Sequence, residues 1–129
     1  MAHIEHVAIW CRDLETMREF YVSQFGAVAG PLYRNCARGF QSYFLSFSAG
    51  ARLELMSLEQ PLANAVPAPA TGLAHFALAL GTEAEVDAMT ARLRAAGSPV
   101  VDGPRRTGDG YYESVVLDPE GNRVELMGC

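Results

Sequence analysis

Two apolar runs, IEHVAIW at 4–10 and LAHFALAL at 73–80, each carry one histidine, and each leads into a segment whose apolar residues recur at helical spacing. LAHFALAL reads as a buried strand with His75 in its middle. After the first run Asp13 stands at an N-cap position, Leu14, Met17, Phe20 and Tyr21 fall on one helical face, and Gly26 suits the stop. After the second, Thr82 and Glu85 form a T-x-x-E capping box. Val86, Met89 and Leu93 make the apolar stripe, and Gly97 with Pro99 ends it. Strand-like runs then close each half: GFQSYFLSF and ARLELM in the first, YYESVVL and NRVELM in the second. The turn in the second half is DPEGN, whose Pro119 and Gly121 favour a tight reversal.

The closing strands reveal a duplication. RLELM at 52–56 and RVELM at 123–127 share four of five residues and lie 71 positions apart, while His6 and His75 lie 69 apart. The pattern predicts an α+β fold of two tandem modules, residues 1–58 and 73–129, each a strand, a helix and then two or three strands. A proline- and alanine-rich linker at 59–72 joins them.

The two-residue period of a strand sorts the side chains by face. His6, Ala8 and Trp10 oppose Val7 and Ile9, and Arg52, Glu54 and Met56 oppose Leu53 and Leu55; the second half repeats this with His75, Ala77 and Ala79, and with Arg123, Glu125 and Met127. One face of each module is aliphatic and suits a helix. The other carries one histidine and one glutamate. Neutral imidazole and carboxylate both donate to borderline divalent cations, so His6, Glu54, His75 and Glu125 are candidate metal ligands, leaving two positions of an octahedral shell for water or substrate. Taken singly, each histidine reads more readily as a hydrogen-bonded core residue, and each glutamate as a solvated partner of Arg52 or Arg123. The duplication shifts the balance, because both halves keep the same two residue types on the same face. His3 falls on the opposite face from His6 and is left out.

Composition narrows the partners. The chain has 129 residues and a net charge of -5, with 15 acidic residues scattered along it and no basic stripe, which disfavours nucleic acid and anionic membrane surfaces. No apolar run is long enough to span a bilayer. The three cysteines, Cys11, Cys36 and Cys129, form no C-x-x-C pair, an arrangement expected of reduced thiols in a cytoplasmic protein.

The order His6, Glu54, His75, Glu125 in two such modules, with DPEGNRVEL before the last glutamate and FYVSQFG closing the first helix, resembles the vicinal oxygen chelate superfamily, and within it glyoxalase I. The resemblance implies two tandem β-α-β-β-β modules whose curled mixed sheets form a cleft containing one divalent metal (Zn, Ni, Co, Mn or Fe, with Zn or Ni favoured), often completed by two subunits, hence a homodimer acting on a small molecule. It assigns the principal proton-moving role to Glu125, with Glu54 as the equivalent second catalytic carboxylate. Glutathione-using members place an arginine four residues after the first histidine and an asparagine four after the first glutamate. This chain has Trp10 and Leu58 there, so Trp10, Met56 and Met127 are expected to line a more apolar substrate cleft. The implied activity is a lyase or isomerase moving a proton on a chelated hydroxycarbonyl or dicarbonyl compound. Two other classes compete: an Fe(II) dioxygenase using His6, His75 and Glu125, and a metal-free drug-binding protein of the bleomycin-resistance type.

Overall fold

Asp13 opens the first helix as its sequence position predicts: its side chain accepts from the Thr16 amide at 3.0 Å, and the helix ends where Gly26 turns left-handed at φ 68° and donates to the preceding turn. A computed structural model describes residues 1–60, 62–63 and 71–128. They divide into two compact units, Met1–Asn64 and Ala65–Cys129.

The first unit runs β1 (His6–Trp10), α1 (Leu14–Phe25), β2 (Val28–Ala29), β3 (Tyr33–Asn35), β4 (Phe40–Ser46) and β5 (Arg52–Leu58). Its sheet is mixed, ordered β1-β5-β4-β2 with β3 also on β4, and only the β1–β5 ladder is parallel. Leu14, Met17 and Tyr21 of α1 are buried with Leu45, Leu53 and Leu55 of the sheet. Phe20, expected on the buried stripe, is half-buried and meets Tyr21 and Phe25 edge-on. The Tyr43 hydroxyl donates to Glu15 at 2.6 Å and ties the helix to β4.

The second unit repeats the plan with β6 (Phe76–Gly81), α2 (Glu83–Ala95), β7 (Val100–Arg106), β8 (Tyr112–Leu117) and β9 (Arg123–Gly128), in the order β6-β9-β8-β7 with β6 parallel to β9. The Thr82/Glu85 capping box is fully formed. Val86 and Leu93 are buried as expected, but Thr90, not Met89, completes the stripe. Its hydroxyl donates to the Val86 carbonyl at 2.6 Å and accepts from Ser114 at 2.7 Å, so a buried polar pair is satisfied inside the core.

Two features depart from the pattern. LAHFALAL is not a buried strand: β6 begins after His75, ends its sheet, and alternates between half-buried Phe76, Leu78 and Leu80 and exposed Ala77 and Ala79. β2, β3 and β7 have no clear two-residue signal, since two are very short and β7 carries register shifts around Asp102. Residues 61 and 64–70 of the expected linker, and Cys129, lie outside the described residues. Cys11 is buried, its thiol directed at the Ile9 carbonyl, whereas Cys36 is exposed. Among the described residues no helix is long and apolar enough to cross a membrane.

Candidate functional site

The parallel β1–β5 ladder sets His6 opposite Arg52 and Ala8 opposite Glu54, so His6 and Glu54 are diagonal neighbours on the face turned from α1. His6 Nε2 lies 3.7 Å from Glu54 Oε1. The other ring nitrogen, Nδ1, lies 3.3 Å from Glu5 Oε1. Glu5 is itself gripped by Arg52, whose Nε donates to Oε2 at 2.8 Å while Nη2 donates to Oε1. Phe44 lies beneath the group: the Arg52 guanidinium stacks 4.1 Å from its ring centroid, and the His6 ring meets it edge-on at 5.3 Å. The Arg52 hydrogen bonds, reinforced by His6 and opposed by slight desolvation, hold the Glu5 carboxyl down at about 2. Arg52 therefore pairs with Glu5, the residue before β1, rather than serving as the surface partner of Glu54.

The second unit builds the same diagonal. β6 and β9 pair Phe76 with Val124 and Ala77 with Glu125, and His75 Nε2 approaches Glu125 Oε2 to 3.1 Å. Its surroundings differ. Ala74 replaces Glu5, Val115 stands opposite Glu125 where Phe44 stands opposite Glu54, and among the described residues no carboxylate pairs with Arg123. One strand over, Glu113 sits opposite Met127 and beside Glu125. Burial, and after it the negative charge of Glu125, push the Glu113 carboxyl above its usual range.

The apolar candidates fall on the same faces as the ligand candidates. Trp10 lies opposite Met56, is 48% exposed and meets Phe40 edge-on at 6.3 Å, with Tyr33 on the far side of Phe40. Met127 is half-buried between Ala79 and Glu113. Sequence reasoning missed Glu5, Phe44 and Glu113. Two of the three carried a readable signal, since Phe44 and Glu113 sit at the alternate positions of their strands that share a face with the glutamates.

With both Glu5 oxygens accepting from Arg52, a neutral His6 ring that donates to Glu5 from Nδ1 would present a lone pair at Nε2. Across 3.7 Å it faces another acceptor, Glu54, with no donor between them. Two acceptors turned toward each other on a half-exposed face are a suitable donor set for a divalent ion. Among the described residues no group of three or more His, Cys, Asp or Glu side chains gathers closely enough to hold one. Each unit, taken by itself, supplies one His–Glu pair.

Comparison with known proteins places this architecture. The chain is 25% identical to SMU.1112c, with a TM-score of 0.82 over 98% of each chain. It is 26% identical to a lactoylglutathione lyase from Agrobacterium tumefaciens, with a TM-score of 0.71 over 99% of this chain and 94% of that one. Among curated proteins it is similar to YwkD of Bacillus subtilis, 35% identical over 80 residues; the match spans 61% of this chain and 62% of that protein's length. Residues 3–126 match the sequence profile of the Glyoxalase/Bleomycin resistance protein/Dioxygenase superfamily, whose members use divalent metals and bind small molecules. With the match running through both modules and both His–Glu pairs, the chain belongs to that superfamily.

Proposed function

We propose that this protein is a divalent-metal-dependent lyase or isomerase of the glyoxalase I type, a cytoplasmic homodimer that moves a proton on a small hydroxycarbonyl or dicarbonyl substrate. The observation that carries the reading is the repeated approach of a histidine to a glutamate, at 3.7 Å in one unit and 3.1 Å in the other. His6 and Glu54 supply two ligands and His75 and Glu125 two more, with Zn or Ni as the favoured ion. When bound, such a cation supplies Lewis acidity that acidifies a C–H next to a chelating carbonyl.

The chain's own groups do the rest. Glu125 takes the proton from one carbon and returns it to the next, a positioned transfer worth roughly 10²- to 10⁴-fold in rate. Glu54, its counterpart in the repeat, is the second carboxylate in reach of the same chemistry. Trp10, Met56 and Met127 supply apolar surface that holds the substrate body and excludes water. Trp10 and Leu58 occupy positions where glutathione-using relatives have an arginine and an asparagine, which favours a substrate other than a glutathione adduct.

Metal analysis of reconstituted protein tests the ligand set, with about one equivalent of Zn or Ni per chain expected and less than about a tenth overturning it. Exchange of substrate C–H for solvent deuterium, followed by NMR across a panel of α-hydroxycarbonyl compounds, tests the chemistry. His75→Ala loses metal and exchange together, whereas Glu125→Gln retains much of the metal and loses exchange, because an amide oxygen still ligates but accepts no proton. Exchange at the wild-type rate in Glu125→Gln moves the base to Glu54. Consumption of dioxygen in place of exchange moves the protein to the oxygenase class.

A further inference from the structure

We propose that Glu5 is a positioning residue for the metal site: clamped by Arg52, it holds the His6 ring by Nδ1 and aims Nε2 as the donor. This rests on the metal-dependent reading above but assigns a role to residues outside the ligand set. Three contacts carry it. Glu5 Oε1 lies 3.3 Å from His6 Nδ1, Arg52 Nε donates to Glu5 Oε2 at 2.8 Å, and Arg52 Nη2 completes a two-pronged grip on the same carboxylate. A fork of this kind fixes the plane of the carboxylate as well as its place. Phe44 backs both ends, with the Arg52 guanidinium 4.1 Å from its ring centroid and His6 edge-on at 5.3 Å.

The consequence is a choice of tautomer. Both Glu5 oxygens accept from the Arg52 fork, so the carboxylate turns only lone pairs to His6, which keeps the ring proton on Nδ1 and the free pair on Nε2, directed toward Glu54. A carboxylate behind a ligating histidine also raises the basicity of the donor nitrogen and freezes the ring's rotation. The second unit lacks the device, because Ala74 stands in the place of Glu5. His6 is thereby the preorganised ligand, and His75 the one whose ring is held only by what it meets at Nε2.

The experiment uses the full-length ¹⁵N-labelled chain. Long-range ¹H–¹⁵N correlation spectra at about pH 8, where imidazole is neutral, report the tautomer of each histidine ring, and competition with a chromogenic chelator gives the Zn(II) affinity. The expected result is His6 with its proton on Nδ1 in both metal-free and Zn-loaded protein. Glu5→Ala loses that preference and binds Zn about 10- to 100-fold more weakly, with Glu5→Gln, which keeps a carbonyl acceptor, in between. Glu5 is exposed, so these variants are expected to fold, with circular dichroism as the check. A wild-type His6 ring protonated on Nε2, or Zn affinity of Glu5→Ala within about twofold of wild type, overturns the inference. Absence of Zn binding by the wild-type chain overturns the metal reading instead, and the tautomer of metal-free His6 still decides whether Glu5 sets the ring.

Discussion

His6 and His75 differ in the residue before each: Glu5 in one case, Ala74 in the other. That difference was invisible to the alternation argument, which sorted Arg52 and Glu54 onto one face and paired them with each other. In the folded chain Arg52 reaches across the ladder to Glu5 instead, because the parallel register places it opposite His6. The His–Glu pairs themselves were legible, since duplication repeats chemistry as well as shape. Alternation puts Glu113 on the face of the glutamates, but its place beside Glu125 emerges only with the β8–β9 register. The Arg52–Glu5 contact also predicts a pH response. Glu5 titrates near 2 when folded and near its ordinary 4.5 when unfolded, so its contribution to stability is present in full above 4.5 and fades as pH falls toward 2. Chemical denaturation of wild type and Glu5→Gln is expected to show a gap at pH 6 to 7 that narrows below about 4.5 and closes only as pH falls through about 2, where the folded-state carboxyl becomes neutral.

At the scale of elements, the helices and closing strands were readable from caps, stripes and the RLELM/RVELM repeat, whereas β2, β3 and β7 were not. β2 spans two residues and β3 three, too few for a period, and the shifts in β7 break its alternation where the ladder with β8 slips. The DPEGN turn shows how much a short motif can determine. Asp118 is 3% exposed, and its Oδ1 accepts from the amides of Glu120 and Asn122 at 2.9 and 3.0 Å while Asn122 Nδ2 donates to both carboxylate oxygens. This network joins β8 to β9 and so sets where Glu125 falls in the ladder. Asp118→Ala strands those donors and is expected to cost about 1–3 kcal/mol of unfolding free energy, measured by urea titration. Asp118→Asn keeps an acceptor oxygen and is expected to recover part of the loss.

For the whole molecule, the repeat of one architecture in two units was readable, and the superfamily match over residues 3–126 agrees with it. β1 and β6 end their sheets, and Trp10 on β1 is 48% exposed. Superfamily members often dimerise, and an isologous dimer would cover such edges. Sedimentation velocity at micromolar concentration is expected to show a single species of twice the chain mass; a single monomeric species would remove the homodimer from the proposal. The parallel ladders carry a further consequence, for the order of folding. β1 pairs with β5, and β6 with β9, across every intervening element of the unit, so each His–Glu contact closes the longest loop in its half. The hairpins between consecutive strands form early and cheaply, whereas these end-to-end pairings carry the high contact order and come last. An ion that bridges histidine to glutamate would therefore act as a clasp on the final zipping event, slowing the first step by which each half comes undone.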